Sequence, residues 1–542
     1  MKPLKTVAVD LTPVLPGGEN GGAKIFVLEL LSRLAEIAPD TTFVLLTQAA
    51  SNEELGSLER PNMQRRVVVG ALDTEPALPG VRKMASRLLP HLPNRIRSAA
   101  GRIGYRLNTA LKRSGSSALL RDIGADLLFC PFTAPTYFET GIATVCTIHD
   151  LQYKTYPEFF TPEDVANRER TFLDACRKAT AIAAVSEYSR STAIAHGELD
   201  PERIRVIHHR IAHRFLLEGE PDDSVLGRLG LVAGKYLVYP ANFWKHKNHE
   251  MLLTAFGIAC RGDLAADVQL VCTGAPGARQ DWLMHAAAGM QLGNRVVFAG
   301  FVPQAQLAAL IAHSSGVVFP SLYEGFGLPV IEAMAAGVPV ACSNTTSLPE
   351  VAAEAAILFD PRVPTQIAGA IVALVEDNVL RARLIQAGRQ RAGEFADSRR
   401  MAEEYRQLFD YAVNNARYET LLTGAYADGW IGPMLNIQIA PSARAQTLEI
   451  ELSAPEWLPQ PRLTVQTMCG GRRQGAAREV ARGANAFFSM SLDPKGGWYE
   501  VRVTPTFVPA RAGNSDDQRE LSAMLRRCGI VGADGERTEL FP

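Results

Sequence analysis

The 542-residue chain contains no apolar run long enough to span a bilayer, which takes about 20 residues, and no amino-terminal signal peptide. We therefore expect no transmembrane segment and a cytoplasmic protein. Its eight cysteines form no Cys-x-x-Cys pair, and most lie in apolar runs such as Leu128-Phe129-Cys130, which predicts buried, reduced thiols. The net charge of −1 excludes a protein devoted wholly to nucleic acid.

Length and patterning predict three domains. A chain of 542 residues with 47% hydrophobic and 21% charged residues is too long for one ordinary core. Short apolar strands alternate with helical stripes over residues 1–217, and the pattern restarts over residues 230–415 after an acidic linker. Such alternation is typical of parallel, doubly wound sheets. We expect two Rossmann-like α/β domains that face a cleft.

From about residue 425 to 542 the hydrophobic period changes to two, which predicts an antiparallel β-sandwich. The residues 493–497 are rich in glycine and join two alternating runs, so a β-hairpin is expected there. Three of the five tryptophans, Trp430, Trp457 and Trp498, fall in this module. Core packing is the commoner role for such residues, and stacking on a sugar ring is the alternative.

Residues 321–332 form the most informative segment, Ser-Leu-Tyr-Glu-Gly-Phe-Gly-Leu-Pro-Val-Ile-Glu. A buried strand precedes it and a helix pattern follows, so the loop lies at the carboxyl edge of a sheet. Its glycines let the backbone approach a ligand, and the helix start favours a phosphate. Glu324 and Glu332 are acceptors suited to sugar or ribose hydroxyls. Alternatively, Glu332 merely complements the helix dipole and Glu324 is a solvated loop residue.

A second polar loop, residues 242–249, follows the first strand of the second half. Lys247 in this loop supplies a positive charge at the same edge of the same sheet. An ordinary surface lysine near a helix start is the alternative.

These two segments resemble the motifs of the retaining GT-B glycosyltransferases, in particular of family 4, and the resemblance covers roughly residues 5–415. It implies an α/β GT-B fold with the β-sandwich as an added C-terminal module. It also implies that Glu332 binds the ribose of a nucleoside-diphosphate sugar and that Glu324 binds the transferred sugar. The amides of Gly325, Phe326, Gly327 and Leu328 would meet the sugar and the diphosphate.

Further roles follow from the same resemblance. Lys247 would stabilise the leaving diphosphate. Asn242 stands where the family commonly has an arginine, so either Lys245 restores the missing charge or the phosphates are held with one cation fewer. Gly21 and Gly22 match the family's glycine loop over the diphosphate. His149 would reach the sugar from the amino-terminal domain, with Asp150 orienting its ring; a structural histidine is the alternative.

The implied activity is a metal-independent hexosyltransferase, retaining in mechanism, that uses no cofactor besides its nucleotide-sugar substrate. The acceptor would be a glycan, lipid-linked, in the synthesis of a bacterial surface polysaccharide such as lipopolysaccharide, and mannose is the favoured sugar. The alternatives are a GT-B phosphorylase, a sugar-nucleotide epimerase, or a non-catalytic glycan-binding protein.

Residues 77–121 contain ten basic and no acidic residues, with apolar positions at helical spacing. This pattern predicts a basic amphipathic hairpin that binds the anionic inner face of a membrane. A surface helix pair packed on its own domain is the alternative. Nucleic acid is not an expected partner, because Tyr105 is the segment's one aromatic residue for stacking on bases.

Overall fold

The computed structural model describes residues 4–16, 21–70, 119–139, 141–212, 221–416, 420–426, 428–440, 442, 444–469, 472–494, 496–512, 517 and 519–541. The predicted basic hairpin at 77–121 lies outside these residues except for its last three, and so do residues 17–20 of the predicted glycine loop. Among the helices that are described, none combines the length and the apolar character that a bilayer crossing requires.

The first domain is built on a seven-stranded parallel sheet with the strand order β3-β2-β1-β4-β5-β6-β7. Its central strands are buried at every position because helices cover both faces. The strands are β1 (Thr6–Asp10), β2 (Thr42–Gln48), β3 (Met63–Val69), β4 (Leu127–Cys130), β5 (Ala143–Ile148), β6 (Ala181–Ala184) and β7 (Ile204–Val206). The helices are α1 (Gly21–Ile37), α2 (Leu119–Asp122), α3 (Gln152–Thr155), α4 (Pro162–Lys178) and α5 (Glu187–Gly197).

The second domain repeats this plan with a six-stranded parallel sheet in the order β10-β9-β8-β11-β12-β13. Its strands are β8 (Tyr236–Pro240), β9 (Gln269–Thr273), β10 (Val296–Gly300), β11 (Gly316–Phe319), β12 (Val340–Ser343) and β13 (Ala356–Phe359). Its helices are α6 (Ser224–Leu229), α7 (His249–Arg261), α8 (Ala278–Gly289), α9 (Gln304–Ala312), α10 (Leu328–Ala335), α11 (Leu348–Ala352), α12 (Pro364–Glu376) and α13 (Asn378–Gly393). The two predicted Rossmann-like domains are confirmed.

Helix α14 (Ser398–Asn415) follows the second domain in sequence but packs on the first domain, against α1 and strands β4 to β6. Its buried face carries Tyr405, whose hydroxyl lies 3.1 Å from the hydroxyl of Thr147, and Phe409, whose ring lies 5.0 Å from that of Phe129. The helix therefore ties the two domains together through an apolar face.

The C-terminal module is a sandwich of two antiparallel sheets, as expected. One has the order β14-β15-β21-β17-β18 with β19 paired to β17, and the other has the order β20-β16-β22-β23. The strands are β14 (Leu421–Ala425), β15 (Ile431–Ile439), β16 (Ala445–Ser453), β17 (Arg462–Cys469), β18 (Arg472–Arg473), β19 (Arg478–Ala481), β20 (Asn485–Ser491), β21 (Gly497–Thr504), β22 (Met524–Gly532) and β23 (Arg537–Phe541).

The predicted hairpin around residues 493–497 is wrong. Strand β20 pairs with β16, whereas β21 pairs with β15 and β17, so the segment between them crosses from one sheet to the other. The turn residues indicate a reversal of the chain but do not select the pairing partner, which the apolar faces of distant strands decide. The expectation for the cysteines is confirmed: all eight are free, and six of them are buried.

Candidate functional site

Two loops meet at the point where the strand order of the second sheet reverses, between β8 and β11. In open parallel sheets this switch point is where ligands bind, outside the carboxyl ends of the strands. The first loop carries Lys247 and the second carries Glu324, and their side chains form an ion pair with 2.6 Å between Nζ and Oε1. Each side chain is only 12% exposed, so a charged pair lies inside the cleft.

The two loops are fixed by hydrogen bonds to each other and to the sheet. The Tyr239 hydroxyl donates to the carbonyl oxygen of Lys247 at 2.6 Å, and the Leu322 amide donates to that of His246 at 2.7 Å. The Ser347 hydroxyl lies 3.0 Å from the carbonyl oxygen of Glu324. The ion pair is therefore held by its backbone as well as by its charges.

Helix α10 starts directly at this site, with Gly327 as its N-terminal cap at φ 107°. An added Cβ on Gly327 would lie 2.6 Å from the Leu348 side chain, so both the conformation and the space demand glycine. Leu328, the first helical residue, lies against Gly22 at the start of α1 in the other domain, where a Cβ would come within 3.0 Å of its side chain. Two helix N-termini thus converge, which favours an anion between them. Glu332, one turn into α10, is buried at 4% exposure.

Asn242 and Lys245 lie in the loop after β8 but do not join the ion pair. The side-chain oxygen of Asn242 accepts a hydrogen bond of 2.9 Å from the Ala275 amide, so this residue fixes the loop after β9. Lys245 is exposed on a short 3-10 turn, residues Lys245–Lys247. Its proposed compensation for the missing arginine stays a prediction.

His149 directly follows β5 on the opposite side of the cleft, and its Nε2 lies 2.7 Å from the carbonyl oxygen of Pro131. Since a carbonyl only accepts, Nε2 carries the proton. Burial lowers the pKa of His149, which favours the neutral ring with Nδ1 as an acceptor. Asp150 does not hold this ring as the sequence suggested; its carboxylate accepts from the Gln152 amide at 3.1 Å.

The two domains contact each other at Gly325. An added Cβ on Gly325 would overlap the carbonyl oxygen of His149, so the loop before α10 and the end of β5 touch through main-chain atoms. The Ser186 hydroxyl donates to the carbonyl oxygen of Gly325 at 2.7 Å, and the Ser189 hydroxyl lies 3.1 Å from that of His149. Ser186 also caps helix α5, as the sequence suggested, by accepting from the Ser189 amide at 3.0 Å.

Glu350 adds a second contact between the domains. Its carboxylate accepts from the amides of Glu187 and Tyr188 at the start of α5, at 2.8 and 3.2 Å, and from Nε2 of His208 at 2.7 Å. Burial alone would raise the pKa of the Glu350 carboxyl, but these hydrogen bonds outweigh burial and lower the pKa below its ordinary value. The ionised carboxylate therefore joins the two domains.

The sequence matches known proteins over both α/β domains. Residues 232–391 match the family described as glycosyl transferases group 1, and residues 20–213 match the one described as glycosyltransferase family 4. The two matches together cover more than half of the chain and include Lys247, Glu324 and His149. The chain belongs to the GT-B glycosyltransferases of group 1.

Curated relatives of the glycosyltransferase include two mannosyltransferases of Escherichia coli. O-antigen chain mannosyltransferase B is 30% identical over 253 residues, which are 46% of this chain and 66% of the relative. The serotype-specific mannosyltransferase WbdA is 28% identical over 236 residues, which are 40% of this chain and 27% of the relative. The glycosyltransferase thus covers less than two thirds of the length of either protein.

Solved structures show the same fold. Anabaena HepE, solved in complex with UDP and glucose, superposes with a TM-score of 0.54 at 18% identity over 75% of this chain and 100% of that chain. WaaG, a glycosyltransferase involved in lipopolysaccharide biosynthesis, gives a TM-score of 0.52 at 15% identity over 74% of this chain and 99% of that chain. The glycosyltransferase therefore has the predicted GT-B fold.

Three site residues of the glycosyltransferase were missed by the sequence interpretation, which assigned nothing to the segment 206–210. His208 bonds to Glu350, and Arg210 forms an ion pair with Glu404 of α14 at 3.1 Å. His209 is buried, with its ring 4.2 Å from that of Phe26 and 5.0 Å from that of Phe326. The available signal was the run His208-His209-Arg210 shortly after the short edge strand β7.

Asp10 was also missed. It ends β1 at the switch point of the first sheet and is 1% exposed. Its Oδ1 accepts from the amide and the hydroxyl of Thr12, at 3.0 and 2.6 Å, yet burial raises the pKa of Asp10 to about 6. Within the described residues, no group of three or more His, Cys, Asp or Glu side chains is placed to bind a metal ion. The expected absence of a metal stays a prediction.

We expect the substitution Glu350→Gln to weaken the contact between the domains at pH 7. A hydrogen bond to a charged group contributes about 1.5–3 kcal/mol, so the free energy of unfolding should fall by about 2 kcal/mol. Because the folded pKa of Glu350 is lowered, its contribution is present above the ordinary glutamate pKa and is lost as the pH falls through the folded pKa. The difference in Tm from the wild type should therefore shrink as the pH falls below the ordinary glutamate pKa and disappear once the pH lies below the lowered pKa of the folded state.

The matched control is Glu354→Gln, which changes an exposed glutamate one turn further along the chain and should leave the Tm unchanged. Equal Tm values for wild type and Glu350→Gln at pH 7 would contradict the assigned contact.

Proposed function

We propose that the chain is a retaining hexosyltransferase that moves mannose from a nucleoside-diphosphate sugar to a glycan acceptor, lipid-linked, in bacterial polysaccharide synthesis. The observation that carries the proposal is the Lys247–Glu324 ion pair at the switch point of the second sheet. A lysine for a diphosphate and a carboxylate for sugar hydroxyls are the groups that a nucleotide-sugar donor requires. The choice of mannose rests on the two mannosyltransferase relatives.

The ion pair supplies a route for donor binding. The diphosphate of the donor competes with Glu324 for Lys247, and the carboxylate thereby becomes free to accept from the sugar hydroxyls. The N-termini of α1 and α10, which meet at Gly22 and Leu328, add positive potential to the diphosphate. Buried Glu332 binds the ribose hydroxyls, and the amides of the loop that ends at Leu328 bind the remaining phosphate and sugar oxygens.

Transfer breaks the bond between the anomeric carbon and the diphosphate oxygen, and the diphosphate leaves with the electron pair. The acceptor hydroxyl attacks on the same face, and its proton passes to the departing diphosphate. Lys247 stabilises the charge that develops on this leaving group. His149 lies in the first domain, and its Nδ1 accepts a hydrogen bond from a sugar hydroxyl, which positions the sugar. We propose that Lys247 and the N-termini of α1 and α10 supply the positive charge that a metal provides in other transferases.

The experiment that tests the proposal is a transfer assay with GDP-mannose and with UDP and ADP sugars on short mannose-containing acceptors, in the presence and absence of EDTA. We expect transfer from one donor, unchanged by EDTA, with the anomeric configuration of the donor retained in the product by NMR. Inversion would overturn the retaining mechanism, and sugar phosphate or an epimerised nucleotide sugar as the product would identify a phosphorylase or an epimerase. Loss of transfer in EDTA would overturn metal independence.

We expect Lys247→Ala to lower turnover by at least ~100-fold, the scale for removing one preorganised charge donor. Because the variant leaves the Glu324 carboxylate without its partner, the double variant Lys247→Ala/Glu324→Gln serves as the folding control. Lys235→Ala removes an exposed lysine that precedes β8, at the opposite end of the strand from the site, and should leave turnover unchanged. Wild-type turnover by folded Lys247→Ala would overturn the assigned site.

We also propose that the basic segment 77–121 holds the enzyme at the anionic inner face of the membrane, near a lipid-linked acceptor. Its ten cations and no acidic residue support the proposal, since each well-placed cation contributes about 1 kcal/mol at such a surface. In a flotation assay, replacing Arg95, Arg97, Arg102 and Arg106 by glutamine should reduce binding to vesicles that contain phosphatidylglycerol. Equal binding by wild type and variant would contradict the proposal.

A further inference from the structure

Three loops at one end of the sandwich bring together an aromatic cluster outside the catalytic cleft. Trp430 precedes β15, Trp457 lies between β16 and β17, and Phe507 follows β21. The rings of Trp430 and Trp457 are 5.2 Å apart, those of Trp430 and Phe507 are 5.6 Å apart, and those of Trp457 and Phe507 are 6.2 Å apart. All three pairs have the edge-to-face geometry that aromatic quadrupoles favour.

Two rings of the cluster are buried, and the third is exposed to solvent. Trp430 and Phe507 are 8% and 9% exposed, whereas Trp457 is 62% exposed. The expectation of core packing is therefore confirmed for Trp430 and wrong for Trp457. A single exposed aromatic residue is common on protein surfaces. Trp457 differs in that its indole packs on two buried aromatic rings, so its outer face forms the exposed side of a preformed aromatic cluster that a ligand can contact.

The turn that presents Trp457 is well supported. The next residue, Leu458, is buried at 1% exposure, and its amide donates to the carbonyl oxygen of Pro455 at 3.1 Å. The guanidinium of Arg482 donates to the carbonyl oxygen of Leu458 at 3.3 Å. The indole is thus held in place before any ligand arrives, which reduces the entropy cost of binding.

The polar groups beside the cluster are an amide, a hydroxyl, two carboxylates and the exposed Arg482 guanidinium. The Gln460 amide donates to the carbonyl oxygen of Thr506 at 3.5 Å, and the Thr506 hydroxyl donates to the Glu520 carboxylate at 2.5 Å. Glu456, adjacent to Trp457, is exposed, as is Glu520. These groups exchange hydrogen bonds with hydroxyls, and because the two carboxylates outnumber the one guanidinium, their combined charge disfavours an anionic ligand or membrane.

We infer that this end of the sandwich binds an uncharged glycan chain, with one sugar ring stacked on the indole of Trp457. The inference rests on the proposed function in one respect, namely that the catalytic domains elongate a glycan that this module then holds. A protein partner is the less favoured occupant, because a stable interface buries about 800 Å² on each side. The exposed face of one indole offers a fraction of that area.

Affinity electrophoresis of the full chain in gels containing soluble mannan, or dextran for comparison, tests the inference. We expect retardation of the wild type by mannan and a dissociation constant raised at least about tenfold by Trp457→Ala, since a lost stacking contact contributes roughly 1.4 kcal/mol. The matched control is Phe487→Ala, which removes another exposed aromatic residue of the sandwich, 48% exposed on β20, and should keep the wild-type retardation.

The donor-site variant Glu324→Gln separates the two proposals. Retardation that persists in Glu324→Gln and disappears in Trp457→Ala assigns binding to the sandwich, even if the transfer assay finds no activity. Retardation that disappears in Glu324→Gln instead places the glycan in the catalytic cleft and overturns the inference. The inference is also overturned if neither polysaccharide retards the wild type, or if Trp457→Ala converts an oligomer to a monomer in sedimentation velocity.

Discussion

The close contact between Gly325 and the end of β5 is the constraint on which the rest of the proposed donor site depends. No side chain fits at this position, because a Cβ on Gly325 would overlap the carbonyl oxygen of His149. The loop that begins helix α10 is therefore set against the first domain by main-chain atoms. The serine hydroxyls at the start of α5 and the Glu350 carboxylate reinforce the same contact. The conformation of the loop before α10 is thus fixed by both domains, although its residues all belong to the second.

Burial determines which groups of the cleft carry charge. In the loop after β8, burial first and then the charge of Lys247 lower the pKa values of His246 and His249 to about 3, so both rings are neutral at physiological pH. Between these two histidines in sequence, Lys247 forms its ion pair of 2.6 Å with the Glu324 carboxylate. Because the two neighbouring imidazoles are neutral, an incoming anion is attracted mainly by the Lys247 ammonium.

The sandwich has a hydrophobic core of its own, distinct from that of the two α/β domains. Its core is formed by alternating side chains of its own two sheets, whereas helix α14, which precedes it, belongs to the packing of the first domain. Structures such as HepE match three quarters of the chain, so the fold of the catalytic unit does not require the added module. Trp457 is exposed on a turn that hydrogen bonds hold in place, and an exposed indole does not stabilise the module that carries it.

The amino-acid sequence by itself determined the two parallel sheets, the sandwich and the two motif loops. Strand burial, helical stripes and period-two alternation are local patterns that reflect how each element faces its core. Even the meeting of Lys247 and Glu324 was implied, since the carboxyl ends of neighbouring parallel strands share one edge.

Tertiary structure alone decided that β20 and β21 belong to different sheets and that α14 returns to the first domain. It also decided that Glu350 reaches His208 across the cleft and that Trp457 stays exposed whereas Trp430 is buried. These features depend on contacts between segments far apart in sequence, and local patterns do not select the distant partner.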